Sequence, residues 1–221
     1  MPVIGEPQRT YLHKRHKKAY NIKYSIYDFI AKQLKPQARI LEMFGGIGIN
    51  TYFVTKNANP KLLRAYEVDS LCAEFLQQTY KDDSRVEIIE GDCFHEHEDF
   101  DYIYIDGSNF SASNLSQYVG IFEMLSKMTG DVFITDSGYF KFKFIKTDKR
   151  PAEIREYYES YNRIFQIYGL HIDTVYLGNE FAVIALVRNP TLLQLEDYKI
   201  ETTEWKKVTT KYDSFIWNKE K

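Results

Sequence analysis

The stretch that most constrains this chain is Arg39-Ile40-Leu41-Glu42-Met43-Phe44-Gly45-Gly46-Ile47-Gly48-Ile49-Asn50. A short apolar run ends in an acid, passes through a glycine-rich turn and enters a segment of helical character. Strand, tight turn and helix start, in this order, are the parts of a nucleotide-binding crevice. Gly45, Gly46 and Gly48 let the backbone approach a ligand closely and take positive φ without a Cβ clash. Glu42 adds an acceptor at the carboxyl end of the strand, where open α/β sheets bind their ligands. No Gly-Lys-Ser/Thr follows, so the turn is not a Walker cradle, and its spacing departs from G-x-G-x-x-G. A carboxylate ahead of the glycines repels a pyrophosphate and suits a cationic or hydroxyl-bearing ligand better.

A chain of 221 residues is long enough for one domain with a sizeable core. The net charge of −2 gives no global field toward nucleic acid or membrane. No apolar run approaches the ~18 residues that span a bilayer, and the N-terminus lacks a signal-peptide pattern. These features predict a cytoplasmic protein without a membrane partner. Cys72 and Cys93 are then expected as reduced thiols, acting as small buried hydrophobes.

Residues 1–24 become basic, with Arg9, His13, Lys14, Arg15, His16, Lys17, Lys18 and Lys23 interleaved with Tyr11, Tyr20 and Tyr24. Apolar spacing predicts a helix from Ser25, read as its cap, to about Leu34. Strands are predicted at 39–43, 63–68, 86–90, 101–105 and 132–135, and helices at 50–57, 71–80, 114–127 and 152–168, with Asp69 or Ser70 capping the third helix. Segments 171–176 and 181–187 around Gly178-Asn179 read as a β-hairpin. Strands alternating with helices argue a mainly parallel sheet covered by helices on both faces. The polar tail from Asn189, with isolated Leu192, Leu193, Leu195, Trp205, Phe215 and Trp217, reads as a packed or partly disordered arm.

This order of motifs resembles the class I S-adenosylmethionine-dependent methyltransferase family over residues 25–188. The acid-aromatic-glycine turn carries part of the likeness. An acid ends the second strand at Glu67-Val68-Asp69, Gly91-Asp92 ends the third, and Asp106 ends the fourth. The resemblance implies an α/β three-layer sandwich, with a seven-stranded, mostly parallel sheet closed by an antiparallel hairpin strand. It divides the chain into a basic segment (1–24), a methyltransferase-like domain (25–188) and a C-terminal arm (189–221). It also implies S-adenosylmethionine as cofactor. Glu42, Phe44, Gly45, Gly46 and Gly48 would lie against its methionine part and ribose, and Glu67 would accept from both ribose hydroxyls. Val68 would pack on the adenine ring. Asp92, with the Cys93 backbone, would receive the adenine amino group, and Asp106 would lie over the reacting methyl group.

On the acceptor side, family members that methylate base amino groups carry an Asp/Asn-Pro-Pro-aromatic run, where this chain has Asp106-Gly107-Ser108-Asn109-Phe110. Metal-dependent O-methyltransferases place acids at the ends of the fourth and fifth strands. Here these are Asp106 and Asp136, with Ser137 where those enzymes have Asn. The resemblance therefore allows Mg²⁺ and a small hydroxylated acceptor as one reading. Lys141, Lys143, Lys146, Lys149 and Arg150, interleaved with Phe140, Phe142 and Phe144, form with the basic N-terminal segment a rim suited to phosphates and stacked bases. The leading expectation is a methyltransferase acting on a nucleic acid or nucleotide, with Asp106 and Asp136 as catalytic residues and Tyr139 lining the pocket. A non-catalytic nucleic-acid-binding module that retains the fold is a further reading. His95 and His97 read as loop residues, not as a metal site.

Overall fold

The computed structural model describes residues 21–106, 116, 118–136, 150–178 and 182–203. The chain divides into two compact units, residues 1–92 with 205–221, and residues 93–204.

In the first unit, helix α1 (Asn21–Gln33) precedes strand β1 (Arg39–Glu42), helix α2 (Ile49–Asn57), strand β2 (Leu62–Glu67), helix α3 (Ser70–Tyr80) and strand β3 (Val86–Glu90). The strands are parallel, in the order β3-β2-β1, with Ile40 opposite Leu63 and Ala65 opposite Ile88. Ile40, Leu41, Leu63 and Ala65 are fully buried, as side chains on both faces of a helix-covered parallel sheet must be. Each such buried Ile or Leu side chain contributes roughly 1.5–3 kcal/mol. The α1 helix begins before Ser25, which is buried inside it and is therefore not its cap. Asp69 does cap α3, its carboxylate accepting from the Cys72 N–H at 3.1 Å.

In the second unit, strand β4 (Tyr102–Ile105), helix α4 (Val119–Leu125), strand β5 (Asp131–Asp136), helix α5 (Arg150–Ile167), strands β6 (His171–Leu177) and β7 (Ala182–Val187), helix α6 (Leu192–Glu196) and strand β8 (Lys199–Thr202) follow in turn. The strand order is β4-β5-β7-β6-β8. β7 runs antiparallel to both β5 and β6, while β4/β5 and β6/β8 are parallel. The expected α/β class and its antiparallel hairpin strand are both present. The strand count is corrected from seven to eight among the described residues, and the added strand is β8. It lies with α6 in the segment that the sequence sets aside as an arm. Thr191 and Gln194 close a capping box on α6, and the Tyr198 hydroxyl donates to the Arg155 carbonyl at 3.0 Å. Phe122 of α4 meets Phe165 of α5 edge-on at 5.4 Å between ring centroids.

No helix among the described residues is long and apolar enough to cross a membrane. The basic segment through residue 20, residues 107–110 and 137–149, and the tail from 204 lie outside the described residues. Ser137, Tyr139 and the basic-aromatic run after β5 as far as Lys149 are among them. Cys72 and Cys93 are free, buried thiols, as expected.

Candidate cofactor site and acceptor-side residues

The glycine turn is built against the ends of β1 and β2. The Gly45 N–H donates to the Tyr66 carbonyl at 2.8 Å, and the Gly48 N–H donates to the Gly45 carbonyl at 2.8 Å. A Cβ on Gly45 would stand 3.1 Å from Leu76 Cδ1 and 3.5 Å from the Tyr66 oxygen, so α3 packs where any side chain would project. Gly48 caps α2 with φ 80° and ψ 23°, a left-handed conformation that glycine takes at little cost. Tyr80 at the end of α3 donates its hydroxyl to the Gly48 carbonyl at 3.4 Å. Burial first, and then the Glu42 charge, hold that hydroxyl well above the usual tyrosine pKa, so it stays a neutral donor.

Two acids bracket the turn. Glu42, 1% exposed, accepts from the Thr51 hydroxyl at 2.7 Å, which ties the first turn of α2 to the end of β1. Glu67, 7% exposed, accepts from the Gly46 N–H at 2.6 Å and from the Asp69 N–H at 2.8 Å. One carboxylate thus orders both the glycine turn and the start of α3. A carboxylate offers about four acceptor sites, so these two bonds leave capacity for hydroxyl donors of a ligand. The Glu67 carbonyl accepts from the Gly91 N–H at 3.0 Å, which brings the start of the Gly91-Asp92 turn to the end of β2. Val68 is 66% exposed and Phe44 38% exposed, and Leu71 is exposed too. These apolar side chains stand open beside acids that are themselves buried. Asp92 is exposed and Cys93 is buried.

These residues fit the cationic, hydroxyl-bearing ligand that the sequence calls for. The close packing at Gly45 leaves the turn's backbone bare of side chains. Asn50, in the first turn of α2, is buried, and neither its Oδ1 nor its Nδ2 has a hydrogen-bond partner among the described residues. An unsatisfied buried amide costs about 1–3 kcal/mol and marks a place for a bound polar group or water.

In the second unit, Asp106 follows β4 and is half-buried, while Asp136 ends β5 and is fully buried. The β4/β5 register sets Ile105 opposite Ile134, so the two acids follow neighbouring strand ends. The Tyr158 hydroxyl donates to Asp136 Oδ2 at 2.9 Å, and the Tyr157 hydroxyl to Oδ1 at 3.5 Å. Tyr157 and Tyr161 share a hydrogen bond of 2.7 Å. Next to Asp136, the Thr135 hydroxyl bonds the Tyr104 hydroxyl at 2.8 Å. Burial, then the Asp136 charge, push all three tyrosines of α5 upward in pKa. Burial, then Asp106, raise Tyr118 to about 12. Both oxygens of Asp136 therefore face phenolic donors. No group of three or more His, Cys, Asp or Glu suited to a metal occurs among the described residues. Glu96 accepts from the backbone N–H groups of His97 and Glu98, each at 2.9 Å, so this carboxylate orders the His95–His97 loop.

An acid-ended strand, a glycine turn and a second acid at the next strand end thus stand together in the first unit. Residues 10–113 match the model of the ribosomal RNA adenine dimethylases. Among solved structures, a SAM-dependent methyltransferase from Aquifex aeolicus is 16% identical, with a TM-score of 0.55 over 80% of this chain and 98% of that one. A fibrillarin from Aeropyrum pernix, solved with natively bound S-adenosyl-L-methionine, is 15% identical, with a TM-score of 0.54 over 74% and 76%. A candidate RNA methyltransferase from Pyrococcus horikoshii is 12% identical, with a TM-score of 0.54 over 75% and 83%. At these identities the likenesses show the fold. No curated protein sequence matches the chain. The chain thus shares the fold of these methyltransferases, and its residues 10–113 resemble the ribosomal RNA adenine dimethylases.

The sequence did not single out Thr51, Asn50 or Tyr80 around the turn, nor the tyrosines of α5. The spacing of Tyr157, Tyr158 and Tyr161 along one helix was the available signal for the latter.

Proposed function

We propose that this protein transfers methyl groups from S-adenosylmethionine to RNA, with an adenine amino group as the acceptor. The observation that carries this reading is the match of residues 10–113 to the ribosomal RNA adenine dimethylases. That span holds Glu42, the glycine turn, Glu67, Asp92 and Asp106. The candidate RNA methyltransferase of the same fold is consistent with it.

The cofactor supplies an activated methyl group on a sulfonium, so no acid is needed at the leaving group. The chain's own residues then bind and orient. Glu67 receives the ribose hydroxyls through its remaining lone pairs, with the charge-assisted strength of a carboxylate acceptor. Val68 and Phe44 cover apolar ring surface. Asp92 receives the adenine amino group beside the Cys93 backbone, and Glu42 sets a negative charge behind the turn that favours a cationic ligand. Asp106 positions the acceptor amine and takes up the proton that nitrogen loses on methylation. Asp136 serves through the tyrosines it holds. The missing proline pair after Asp106 sets this chain apart from amine methyltransferases that carry one, so the acceptor must be gripped by other groups.

The test is incubation with tritiated S-adenosylmethionine and unmodified ribosomal RNA transcript, with DNA and a catechol in parallel. Label recovered in N6-methylated adenosine supports the reading. Label confined to the catechol, and dependent on Mg²⁺, would replace it with the metal-assisted reading.

A further inference from the structure

We infer that Asn50 recognises the amino-acid end of the cofactor, its amide pairing with the carboxylate and the ammonium group of one zwitterion. The inference rests on the reading of the glycine turn as the cofactor site, and it names the part of the ligand that one further residue holds.

Asn50 is the second residue of α2 and is 3% exposed. Neither its Oδ1 nor its Nδ2 has a hydrogen-bond partner among the described residues. The polar groups around it do have partners. The Thr51 hydroxyl donates to Glu42 at 2.7 Å, and the Gly46 N–H donates to Glu67 at 2.6 Å. Helical side chains lean back over the preceding turn. Only Ile49 precedes Asn50 in α2, so its amide leans toward the glycine turn. At Gly46, where φ is 55°, a Cβ would meet nothing within 4 Å, so the turn has open space beside it. A buried amide left unpaired is costly. An apolar side chain of similar size would fill the place without that cost.

The chemistry on offer is two-sided. An amide brings a carbonyl acceptor and an NH₂ donor, and at Asn50 both are unspent. The α2 helix starts at Gly48, which adds no side-chain cap, and its first turn holds no acid. A helix start carries positive partial charge and favours an anion. Glu42, tied to the adjacent Thr51, sets a buried negative charge at the β1 side of the same turn. A simple anion would leave Oδ1 unpaired, and a simple cation would leave Nδ2 unpaired. An α-amino acid answers both, its carboxylate accepting from Nδ2 and its ammonium donating to Oδ1. Each bond is charge-assisted, the stronger class. Asn50 is thus a specificity residue for the methyl donor, with no part in moving a proton.

The experiment titrates the full chain calorimetrically with S-adenosylhomocysteine and with 5′-methylthioadenosine. The two share adenine, ribose and sulfur, and only the first carries the amino-acid end. Wild type should bind S-adenosylhomocysteine more tightly. Asn50→Leu should weaken that binding at least about tenfold and leave 5′-methylthioadenosine within about twofold. Its free form should unfold at no lower temperature than wild type, because the unpaired amide is gone. Should leucine prevent folding, Asn50→Ala, which leaves space and does not fill it, carries the same comparison. An affinity ratio unchanged in the variant, whether both ligands weaken alike or neither does, would overturn the inference, and the amide would then hold an internal water. So would a wild type that binds the two ligands equally. A wild type that binds no S-adenosylhomocysteine would overturn the proposed function, and this inference with it.

Discussion

Replacing Glu67 with Gln tests the donor half of the site with a change of one atom. The Glu67 carboxylate accepts from the Gly46 N–H at 2.6 Å and from the Asp69 N–H at 2.8 Å. The amide keeps one acceptor oxygen and turns an NH₂ toward the other N–H, donor against donor. A hydrogen bond to a charged group contributes about 1.5–3 kcal/mol, so the local cost is about 2 kcal/mol. For a chain of this size that lowers Tm by roughly 4–8 °C. If the carboxylate also receives the ribose hydroxyls, a similar loss falls on binding, and about 2 kcal/mol is roughly thirtyfold in Kd. Scanning calorimetry reads the first effect, and equilibrium dialysis with labelled S-adenosylhomocysteine reads the second. A Tm that falls as expected while Kd stays within about twofold would refute the argument. Glu67 would then organise the turn without touching the ligand.

Other outcomes follow from the same geometry. Val68→Asp should leave Tm nearly unchanged, because the side chain is 66% exposed, while weakening cofactor binding at least about tenfold in the same dialysis assay. Thr51→Val removes the 2.7 Å donor to the buried Glu42 and should cost about 2–3 kcal/mol in urea unfolding; an unchanged midpoint would mean Glu42 is held by other groups. Asp106→Asn should abolish transfer and keep cofactor affinity, and full activity in that variant would remove Asp106 from the mechanism. Tyr118, raised to about 12 by burial and then by Asp106, contributes stability that is fully present below the ordinary tyrosine pKa near 10. That contribution is lost between about 10 and 12, because the unfolded chain releases its proton first. Tyr118→Phe should flatten the alkaline fall in unfolding free energy over that window, and an identical slope in the variant would contradict the assignment.

The glycine turn and its flanking acids were legible because they are local in sequence. The acid and glycines from Glu42 to Gly48 lie within one strand-turn-helix, and Glu67 and Asp92 each close a strand that alternates predictably with a helix. The dual role of Glu67 was not legible, because its partners Gly46 and Asp69 are backbone groups that only folding brings to it. Ser25 has the composition of a cap yet is buried within α1, where helix packing outweighs a local preference. Strand β8 escaped notice because Lys-Ile-Glu-Thr is short, polar and mostly exposed, as suits an edge; its order comes from pairing with β6. Asp136 was singled out, but as a metal or catalytic acid. Its tyrosine partners come from α5, across an intervening segment that carries no pattern linking the two.

The most direct measurement is isothermal titration of the wild-type protein with S-adenosylmethionine and S-adenosylhomocysteine. The account expects saturable one-to-one binding of both in the micromolar range, unchanged by added Mg²⁺. Absence of binding to either compound would contradict it, leaving the glycine turn and its two acids as architecture alone.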